Sequence, residues 1–270
     1  MAIEQSHYQI TEFIGDGSQG SVFSAVHLIS KQKVAIKIYE SSDLSCFREV
    51  RILKQIQKLQ LQHSLQFIES FLQKGKLLLV TEFVEGEELH DCLLGGRISS
   101  FQDLKAIFKN ILLAVHELHE NNICHLDLKL ENIMIDTKSG EIKLLDFGFA
   151  DTTFAEGKER MITKFRGSIH YSSPEIVTNT PFDGKKADIW SLGVLFYVLI
   201  ARHFPFQGTD PEHANERMNI NSIARQIVTN ELLFTDAFTC QTRQLVISMM
   251  HPDPQTRPTA RKLLQMLRNL

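Results

Sequence analysis

Three oxygen-bearing side chains in the middle of the chain are spaced so that they could work on a phosphate group. Asp127 lies in the stretch HLDLKLEN, Asn132 follows five positions later, and Asp146 follows fourteen positions after that. The turn DTKSGE folds the chain back, so Asn132 and Asp146 can offer oxygen ligands to a hard cation such as Mg²⁺. Asp127 is then free to orient a hydroxyl group and accept its proton, and Lys129 could neutralise a phosphoryl group in transfer. Each aspartate alone is also typical of a turn or an N-cap, but the spaced set favours phosphoryl-transfer chemistry.

A glycine-rich sequence near the N-terminus, GDGSQG in residues 15–20, matches G-x-G-x-x-G. This motif is found in dinucleotide-binding folds, in flaps over a nucleotide's phosphates and, by chance, in plain hairpin turns. The dinucleotide fold needs a helix after the glycines, whereas SVFSAVHLI continues as a β-branched and aromatic strand. A strand-loop-strand hairpin is therefore favoured, in which residues without a Cβ let backbone amides approach phosphate oxygens. The plain turn remains the alternative.

Lys37 and Glu49 form a second pair of charged residues that could do chemistry. Lys37 lies in the strand-like stretch VAIKI, on the face opposite its apolar neighbours. A lone lysine there is usually solvated, and Glu49 by itself is equally typical of a half-exposed helix residue. However, apolar residues lie three, four and seven positions after Glu49, which puts it in the centre of an apolar helix stripe. A carboxylate there needs an ionic partner, and Lys37 is the best candidate, so the pair could hold the ammonium group over a phosphate.

The periodicity of apolar residues indicates the elements that position these groups. The first 80 or so residues mostly alternate with period two, which predicts an antiparallel sheet interrupted by one helix in CFREVRILKQIQKL. The strand KLLLVTEFV ends this part, and the polar stretch EGEE marks a lobe boundary. A long amphipathic helix follows the start signal Ser100-x-x-Asp103, and two short strands, IMI and IKLLDF, come after it. From Asp188 to the end, helices and loops are predicted.

Composition and charge are those of an ordinary folded protein. The chain has 270 residues, 43% of them hydrophobic and 23% charged, with a net charge of -3. This length suits one large domain or two lobes. The charge gives no general attraction for nucleic acid or an anionic membrane surface, so we expect neither as a partner, and phosphate recognition must be local. The four cysteines form no CxxC pair, which argues against a zinc ribbon or a redox motif: Cys46, Cys92, Cys124 and Cys240.

The sequence also lacks the pattern of a targeting or membrane-spanning segment. Its N-terminal residues, MAIEQSHYQI, have neither the basic start nor the apolar core of a signal peptide. The longest apolar stretch, residues 189–201, is interrupted by Ser191 and Gly193 and is too short to cross a bilayer. We therefore expect a buried core helix there and a reducing, cytoplasmic compartment for the protein.

In order and spacing, these motifs resemble those of eukaryotic protein kinases. The resemblance rests on the glycine loop in residues 15–20, VAIK ending at Lys37, Glu49, HLDLKLEN in residues 125–132 and DFG in residues 146–148. It continues in residues 167–175, 188–193 and 253–258, and it covers residues 8–268. Within the family, residues 181–206 look closest to the calcium/calmodulin-dependent and related kinases.

The resemblance implies an α+β, bilobal protein kinase fold. We expect residues 1–270 to form a single kinase domain. Residues 1–84 would make the N-lobe, a small antiparallel β-sheet with one main helix, and residues 85–270 would make the larger, mainly α-helical C-lobe. ATP would bind in the cleft between the lobes.

The resemblance also implies ATP and Mg²⁺ as cofactors. Lys37 would hold the α- and β-phosphates and pair with Glu49, while the hinge backbone at Glu82 and Val84 would hydrogen-bond the adenine. The residues expected to contact ATP are Ile14, Gly15, Asp16, Gly17, Ser18, Gln19, Gly20, Val22, Ala35, Lys37, Glu49, Thr81, Glu82, Val84, Glu88, Met134 and Asp146.

For catalysis, the resemblance implies that Asp127 is the base, with Lys129, Lys37 and Asn132 as further catalytic residues. Asn132 and Asp146 would carry the Mg²⁺. Lys129, together with Ser168 at the usual threonine position, resembles serine/threonine rather than tyrosine kinases.

The segment of residues 167–175 resembles the part of the kinase fold that docks a peptide, so protein substrates with serine or threonine hydroxyls are expected. Glu175 and Arg257 look like the buried ion pair that fixes the activation segment in this family.

One departure from the family pattern concerns regulation. Leu126 stands where the family usually has arginine, and leucine cannot make a charge-assisted hydrogen bond to a phosphate. We therefore expect activity that does not require phosphorylation of Thr152, Thr153 or Thr163.

Two other classes of function have to be weighed. A pseudokinase-type nucleotide-binding scaffold or allosteric module would share the fold, but such proteins typically lose the residues that Lys37, Asp127 and Asp146 match. A small-molecule phosphotransferase normally lacks the peptide-docking segment. Because the length leaves no room for a regulatory tail, we expect control by a regulatory protein in trans, by abundance or by a segment outside this sequence. A monomer is the plausible oligomeric state.

Overall fold

The N-terminal part of the chain folds as an antiparallel sheet, as predicted. The computed structural model describes residues 7–17, 19–39, 44–98, 100–155, 158–163, 167–208 and 216–270. Ser18, which was expected to contact ATP, lies outside these residues. Within them the strands of the sheet are β1 (Tyr8–Gly17), β2 (Gly20–His27), β3 (Lys33–Tyr39), β4 (Phe67–Gln73) and β5 (Lys76–Glu82). Their order in the sheet is β1-β2-β3-β5-β4.

Alternation along β3 determines which side chains face the cleft. Val34 and Ile36 are buried in a small core with Ala25, from β2, and Val80, from β5. Because successive strand residues point to opposite faces, Lys37 lies on the other face, toward the helix described next. The chemistry-bearing face of the sheet is therefore the one away from this small core.

The predicted helix is confirmed as α1 (Leu44–Leu59). Its Ile52, Leu53 and Ile56 have no solvent exposure and belong to the main core, which continues into the C-terminal part of the chain. Glu49 lies on the same helix face and is 1% exposed. The apolar stripe thus carries a buried carboxylate toward the sheet.

The rest of the described chain is mainly helical. Its short strands are β6 (Glu87–Glu88), β7 (Ile123–Cys124), β8 (Ile133–Ile135), β9 (Ile142–Leu144), β10 (Asp151–Thr152), β11 (Phe154–Ala155) and β12 (Lys158–Glu159). Its helices are α2 (Leu89–Leu94), α3 (Phe101–Glu120), α4 (Pro174–Val177), α5 (Gly184–Ala201), α6 (Glu216–Thr229), α7 (Cys240–Met249) and α8 (Ala260–Leu267). The predicted α+β fold class is confirmed.

Two boundaries in this part have clear local causes. Helix α3 begins after Ser100, whose hydroxyl oxygen accepts a hydrogen bond from the Asp103 N–H at 3.1 Å, so the predicted start signal is confirmed. Strand β9 ends at Leu144, earlier than the predicted IKLLDF, because Asp146 takes a left-handed backbone conformation with φ +51°.

The long apolar stretch forms the C-terminal part of α5, a helix that is buried over most of its length. Asp183 caps it by accepting a hydrogen bond from the Lys185 N–H at 2.9 Å. Trp190, Leu195 and Phe196 are fully buried, which confirms the prediction of a core helix. In the described ranges no helix is both long and apolar enough to cross a membrane.

Candidate active site

A cavity of about 320 Å³ lies between the sheet and the C-terminal part of the chain. It is bounded above by β1, β2 and β3 and below by β8 and the residues after β9. Most residues expected to contact ATP line it, together with the magnesium candidate Asn132: Ile14, Gly15, Asp16, Val22, Ala35, Lys37, Glu49, Thr81, Glu82, Val84, Glu88, Asn132, Met134 and Asp146.

Four further lining residues were not predicted: Leu65, Leu79, Phe83 and Leu145. Leu79 lies two positions before Thr81 on β5, so the period of the strand could have indicated it. Leu145 directly precedes Asp146, and Phe83 lies between the two hinge residues. Leu65 comes from the loop after α1, and no local signal in the sequence connects it with the cavity.

One glycine of the loop, Gly20, lies in close contact with strand β3. Gly17 and Gly20 pair across the turn between β1 and β2. A Cβ on Gly20 would lie 2.2 Å from the Ile38 carbonyl oxygen, so the loop can take this position only with glycine there. Gly15 lines the cavity, whereas Gly20 does not.

The ammonium group of Lys37 joins two carboxylates from distant parts of the sequence. Its Nζ donates to Glu49 Oε2 at 2.8 Å and to Asp146 Oδ1 at 3.1 Å. The Tyr39 hydroxyl also donates to Glu49 Oε2, at 2.6 Å. Glu49 therefore has two donors in a buried environment, which offsets the cost of burying its charge.

The charges around Lys37 favour the ionised forms of Lys37 and of Asp146. Burial by itself would lower the pKa of Lys37, but the negative charges of Glu49 and Asp146 outweigh it and hold that pKa above its ordinary value. Burial would likewise raise the pKa of Asp146, but the Lys37 charge, with hydrogen bonds from Lys37 and the Gly148 N–H, lowers it below its ordinary value. The site thus holds a fixed cation beside a fixed anion.

Asp127 lies in a buried position and is held by three donors. Its Oδ2 accepts from Asn132 Nδ2 at 2.9 Å and lies 3.1 Å from Lys129 Nζ. Its Oδ1 accepts from the Ser168 N–H at 3.3 Å. Since a carboxylate has about four acceptor positions, Asp127 keeps room for one further hydroxyl donor.

Asn132 and Asp146 can offer oxygens to a cation. Both hydrogen bonds from Asn132 Nδ2 go to Asp127, to its Oδ2 and its carbonyl oxygen, which leaves Asn132 Oδ1 as a ligand atom. Among the described residues no protein donor binds Asp146 Oδ2. The Leu145 N–H donates to the Asn132 carbonyl oxygen at 2.8 Å, so the two segments run side by side. An amide and a carboxylate oxygen suit Mg²⁺, which takes its other ligands from phosphates and water.

Protein side chains alone do not complete a metal site among the described residues. Within the part of the chain that the structure describes, no three His, Cys, Asp or Glu side chains cluster so as to hold a metal ion. A cation here would therefore depend on the phosphates of a bound nucleotide for much of its coordination.

A buried aspartate of α5 holds the backbone of the loop that carries Asp127. Asp188 accepts hydrogen bonds from the backbone N–H groups of His125 and Leu126, at 2.9 and 2.8 Å. The His119 ring lies 2.9 Å from the same carboxylate. This support holds Leu126 in a left-handed conformation, φ +65°, that a leucine rarely adopts.

A buried ion pair joins helix α4 to the residues just before α8. Arg257 is 1% exposed and donates to both carboxylate oxygens of Glu175, at 2.6 and 2.8 Å. The ion pair expected from the resemblance is therefore present. It has the parallel two-bond geometry that makes such pairs strong.

Comparison with known proteins agrees with this fold and site. A model of the protein kinase domain matches residues 8–267. The chain is 35% identical to NUAK family SNF1-like kinase 1 of Homo sapiens over 80% of this chain and 32% of that protein. It is 35% identical to the serine/threonine-protein kinase SIK3 homolog of Danio rerio over 78% of this chain and 18% of that protein. It is 28% identical to CBL-interacting protein kinase 5 of Oryza sativa subsp. japonica over 98% of this chain and 56% of that protein.

The chain therefore belongs to the protein kinase family, and the resemblance to eukaryotic protein kinases is confirmed. It spans between 18% and 56% of the length of these relatives. Assignment to the calcium/calmodulin-dependent subgroup stays a prediction.

Proposed function

We propose that this protein is a serine/threonine protein kinase that transfers the γ-phosphate of ATP to hydroxyl groups of protein substrates. The observation that carries the proposal is the double contact of Lys37 with Glu49 and Asp146. It joins the sheet, helix α1 and the residues after β9 at the end of the cavity where phosphates would lie. We further propose that residues 1–270 act as one kinase domain, with the lobe boundary after Val84.

In the proposed reaction the protein supplies position and charge. The adenine would occupy the apolar end of the cavity, near Ile14 and Met134. Among the described residues, the Val84 N–H donates to no protein acceptor, so it is available to a ligand. Lys37 would hold the phosphates in the orientation needed for in-line attack.

Asp127 would orient the acceptor hydroxyl through its remaining acceptor position and take up the proton as the phosphoryl group is transferred. Lys129, 3.1 Å from Asp127 Oδ2, would stabilise the negative charge that develops on the phosphoryl oxygens. Asn132 and Asp146 would hold Mg²⁺, which when bound neutralises phosphate charge.

We also propose that activity does not require phosphorylation of Thr152, Thr153 or Thr163. Leu126 is 7% exposed and packs in an apolar cluster with Cys124, Ile162, Phe182 and Ala187. The backbones of Ile162 and Phe182 exchange two hydrogen bonds, at 2.8 and 2.9 Å. This apolar cluster occupies the space in which an arginine at position 126 would bind a phosphate group.

A fixed carboxylate supplies a negative charge in the same segment. Asp151 is buried, and its Oδ1 lies 3.1 Å from Arg160 Nη1 and 3.7 Å from Arg51 Nη2. Arg51 belongs to α1, so its contact with Asp151 connects that helix to the segment that carries Thr152 and Thr153, and this connection needs no phosphate. Thr153 is itself buried, at 7% exposure, and is poorly accessible to a modifying enzyme in this state.

The alternative is a nucleotide-binding scaffold without catalytic activity. The retained contacts of Lys37, Asp127 and Asp146 favour catalysis over this alternative. For partners we propose protein substrates and a regulator in trans. For location we propose a reducing, cytoplasmic compartment, since no disulfide joins the cysteines of the described ranges.

A positional peptide library tests the proposal. The protein is treated with phosphatase until mass spectrometry detects no phosphate, and transfer from Mg-ATP to serine, threonine and tyrosine peptides is then measured. We expect transfer to serine and threonine peptides at a rate close to that of untreated protein. Loss of most activity after dephosphorylation would contradict phosphorylation independence, and transfer to tyrosine alone would contradict the acceptor class.

A further inference from the structure

A hydrogen bond crosses the cleft from the glycine loop to the segment that carries Asp146. Gln19 Nε2 donates to the Gly148 carbonyl oxygen at 3.1 Å, across 129 positions of sequence. The acceptor is a carbonyl oxygen, so the amide nitrogen must be the end that faces it. Gln19 Oε1 is buried and accepts no hydrogen bond among the described residues. The side-chain amide is therefore held in this position by its contact with Gly148.

The contact lies close to the carboxylate expected to hold Mg²⁺. A Cβ on Gly148 would be 3.1 Å from Gln19 Nε2 and 3.1 Å from Asp146 Oδ1. Since both atoms are this close to one point, they are at most about 6 Å apart. Gln19 thus lies near the phosphate end of the cavity, although it is not one of the residues that line it.

Gly148 uses both of its backbone polar groups to connect these two side chains. Its N–H donates to Asp146 Oδ1 at 3.2 Å, and its carbonyl oxygen accepts from Gln19. Glycine has no Cβ to limit its backbone torsions, and Asp146 holds a left-handed conformation with φ +51°. A segment of this kind needs external contacts to keep one conformation, and Gln19 provides one from the opposite side of the cleft.

We infer that Gln19 is a positioning residue, which couples the glycine loop to the orientation of the Asp146 carboxylate. The inference rests on the proposed function, because it concerns nucleotide binding with Mg²⁺ at the same site. When the loop covers a nucleotide, Gln19 holds Gly148, and Gly148 in turn holds Asp146 toward Lys37. By linkage, an Asp146 carboxylate held toward Lys37 stabilises, to the same degree, the loop position in which Gln19 contacts Gly148.

The test compares ADP binding with and without Mg²⁺ by calorimetry in the wild type, Gln19→Met and Gln19→Ala. Gln19→Met keeps the approximate length of the side chain but has no N–H donor. Ser21→Ala is the matched control, because it removes a hydrogen bond to Asp16, 2.7 Å long, within the same loop. Adenosine binding serves as the second control, since adenosine has no phosphates and needs no Mg²⁺.

Mg²⁺ tightens ADP binding by a certain factor in the wild type, and we expect that factor to be about fivefold smaller in both Gln19 variants. This corresponds to about 1 kcal/mol, the net contribution of one hydrogen bond. Adenosine affinity should stay unchanged, and Ser21→Ala should keep the wild-type factor. Hydrogen exchange at the Ala150 amide, which donates to the Phe147 carbonyl oxygen at 3.1 Å, should become faster in the Gln19 variants only.

Three results would overturn the inference. The first is an unchanged Mg²⁺ factor in both Gln19 variants, and the second is an equal loss in Ser21→Ala. The third is a parallel fall in adenosine affinity, which would indicate a general disturbance of the loop. A wild-type protein whose ADP binding does not respond to Mg²⁺ would instead overturn the proposed function, and the inference with it.

Discussion

Lys37 Nζ lies 2.8 Å from Glu49 Oε2, and both side chains are almost fully buried. Replacing Lys37 by methionine removes the cation and leaves Glu49 with the Tyr39 hydroxyl as its donor. Breaking a buried ion pair costs about 3 kcal/mol or more, so Lys37→Met should lower the free energy of unfolding by about that amount. Peptide phosphorylation should fall at least about 100-fold. Urea denaturation and a phosphorylation assay measure the two effects, and unchanged stability would contradict the coupling.

Apolar packing around Leu126 should be measurable as stability. Truncation of a buried leucine costs about 3 kcal/mol, so Leu126→Ala should lower the free energy of unfolding by about that much. Leu94→Ala is the matched control, since Leu94 is 74% exposed and a surface change is worth about 0.5 kcal/mol or less. Equal effects of the two substitutions in urea denaturation would show that the cluster contributes no special stability.

Asp151 and Arg51 form an ion pair, and substitution of Asp151 should reduce stability more than substitution of Arg51. Asp151→Asn removes a buried charge that faces Arg160, Arg51 and the Thr152 N–H, and it should lower the free energy of unfolding by about 2 kcal/mol. Arg51→Gln removes a mostly exposed partner at 3.7 Å, so it should cost less than about 1 kcal/mol. Measured kcat should follow the same order. A larger effect from Arg51→Gln would contradict the proposed role of Asp151.

The buried thiol of Cys124 gives a pH-dependent prediction. Burial, followed by the negative charges of Asp188 and Asp151, raises the pKa of Cys124 well above its ordinary value of 9.0. A raised folded-state pKa stabilises the fold below pH 9.0, and this contribution is lost as pH rises above 9.0, because the unfolded thiol then ionises first. The stability of the wild type relative to Cys124→Ala should thus be constant up to about pH 8 and decline above pH 9.

Alkylation provides the direct check on Cys124. At about pH 8 iodoacetamide should label the exposed Cys240 in the native protein, and it should reach Cys124 only after unfolding in denaturant. Mass spectrometry of the labelled peptides distinguishes the two sites. Labelling of both cysteines at similar rates in the native protein would contradict the burial of Cys124.

Residue type and spacing were sufficient to predict an antiparallel sheet with one helix, the helices that follow it, and the pairing of Lys37 with Glu49, whereas the α+β bilobal fold was implied by the resemblance to protein kinases. The reason is physical: a carboxylate at the centre of an apolar helix stripe requires a cation, and the alternation of β3 leaves few candidates. Asp127, Asn132 and Asp146 are also separated by short segments whose turns limit where the side chains can go.

Other contacts depend on the placement of loops and could not be predicted in this way. The contact between Gln19 and Gly148 joins residues 129 positions apart, and no local pattern indicates it. Leu65 likewise reaches the cavity through the path of the loop after α1. Strand β9 ends at Leu144, before the left-handed backbone conformation of Asp146, and period-two reasoning does not include such a bend.

The central claim, that Asp127 accepts the proton of the attacking hydroxyl, is tested most directly with Asp127→Asn. Phosphorylation of a serine peptide and the dissociation constant of Mg-ADP are measured on the same protein, with the exposed Asp136→Asn as control. Loss of a general base costs about 100-fold or more in turnover, so we predict that fall with ADP binding within about twofold of wild type. Turnover within about threefold of wild type would contradict the account.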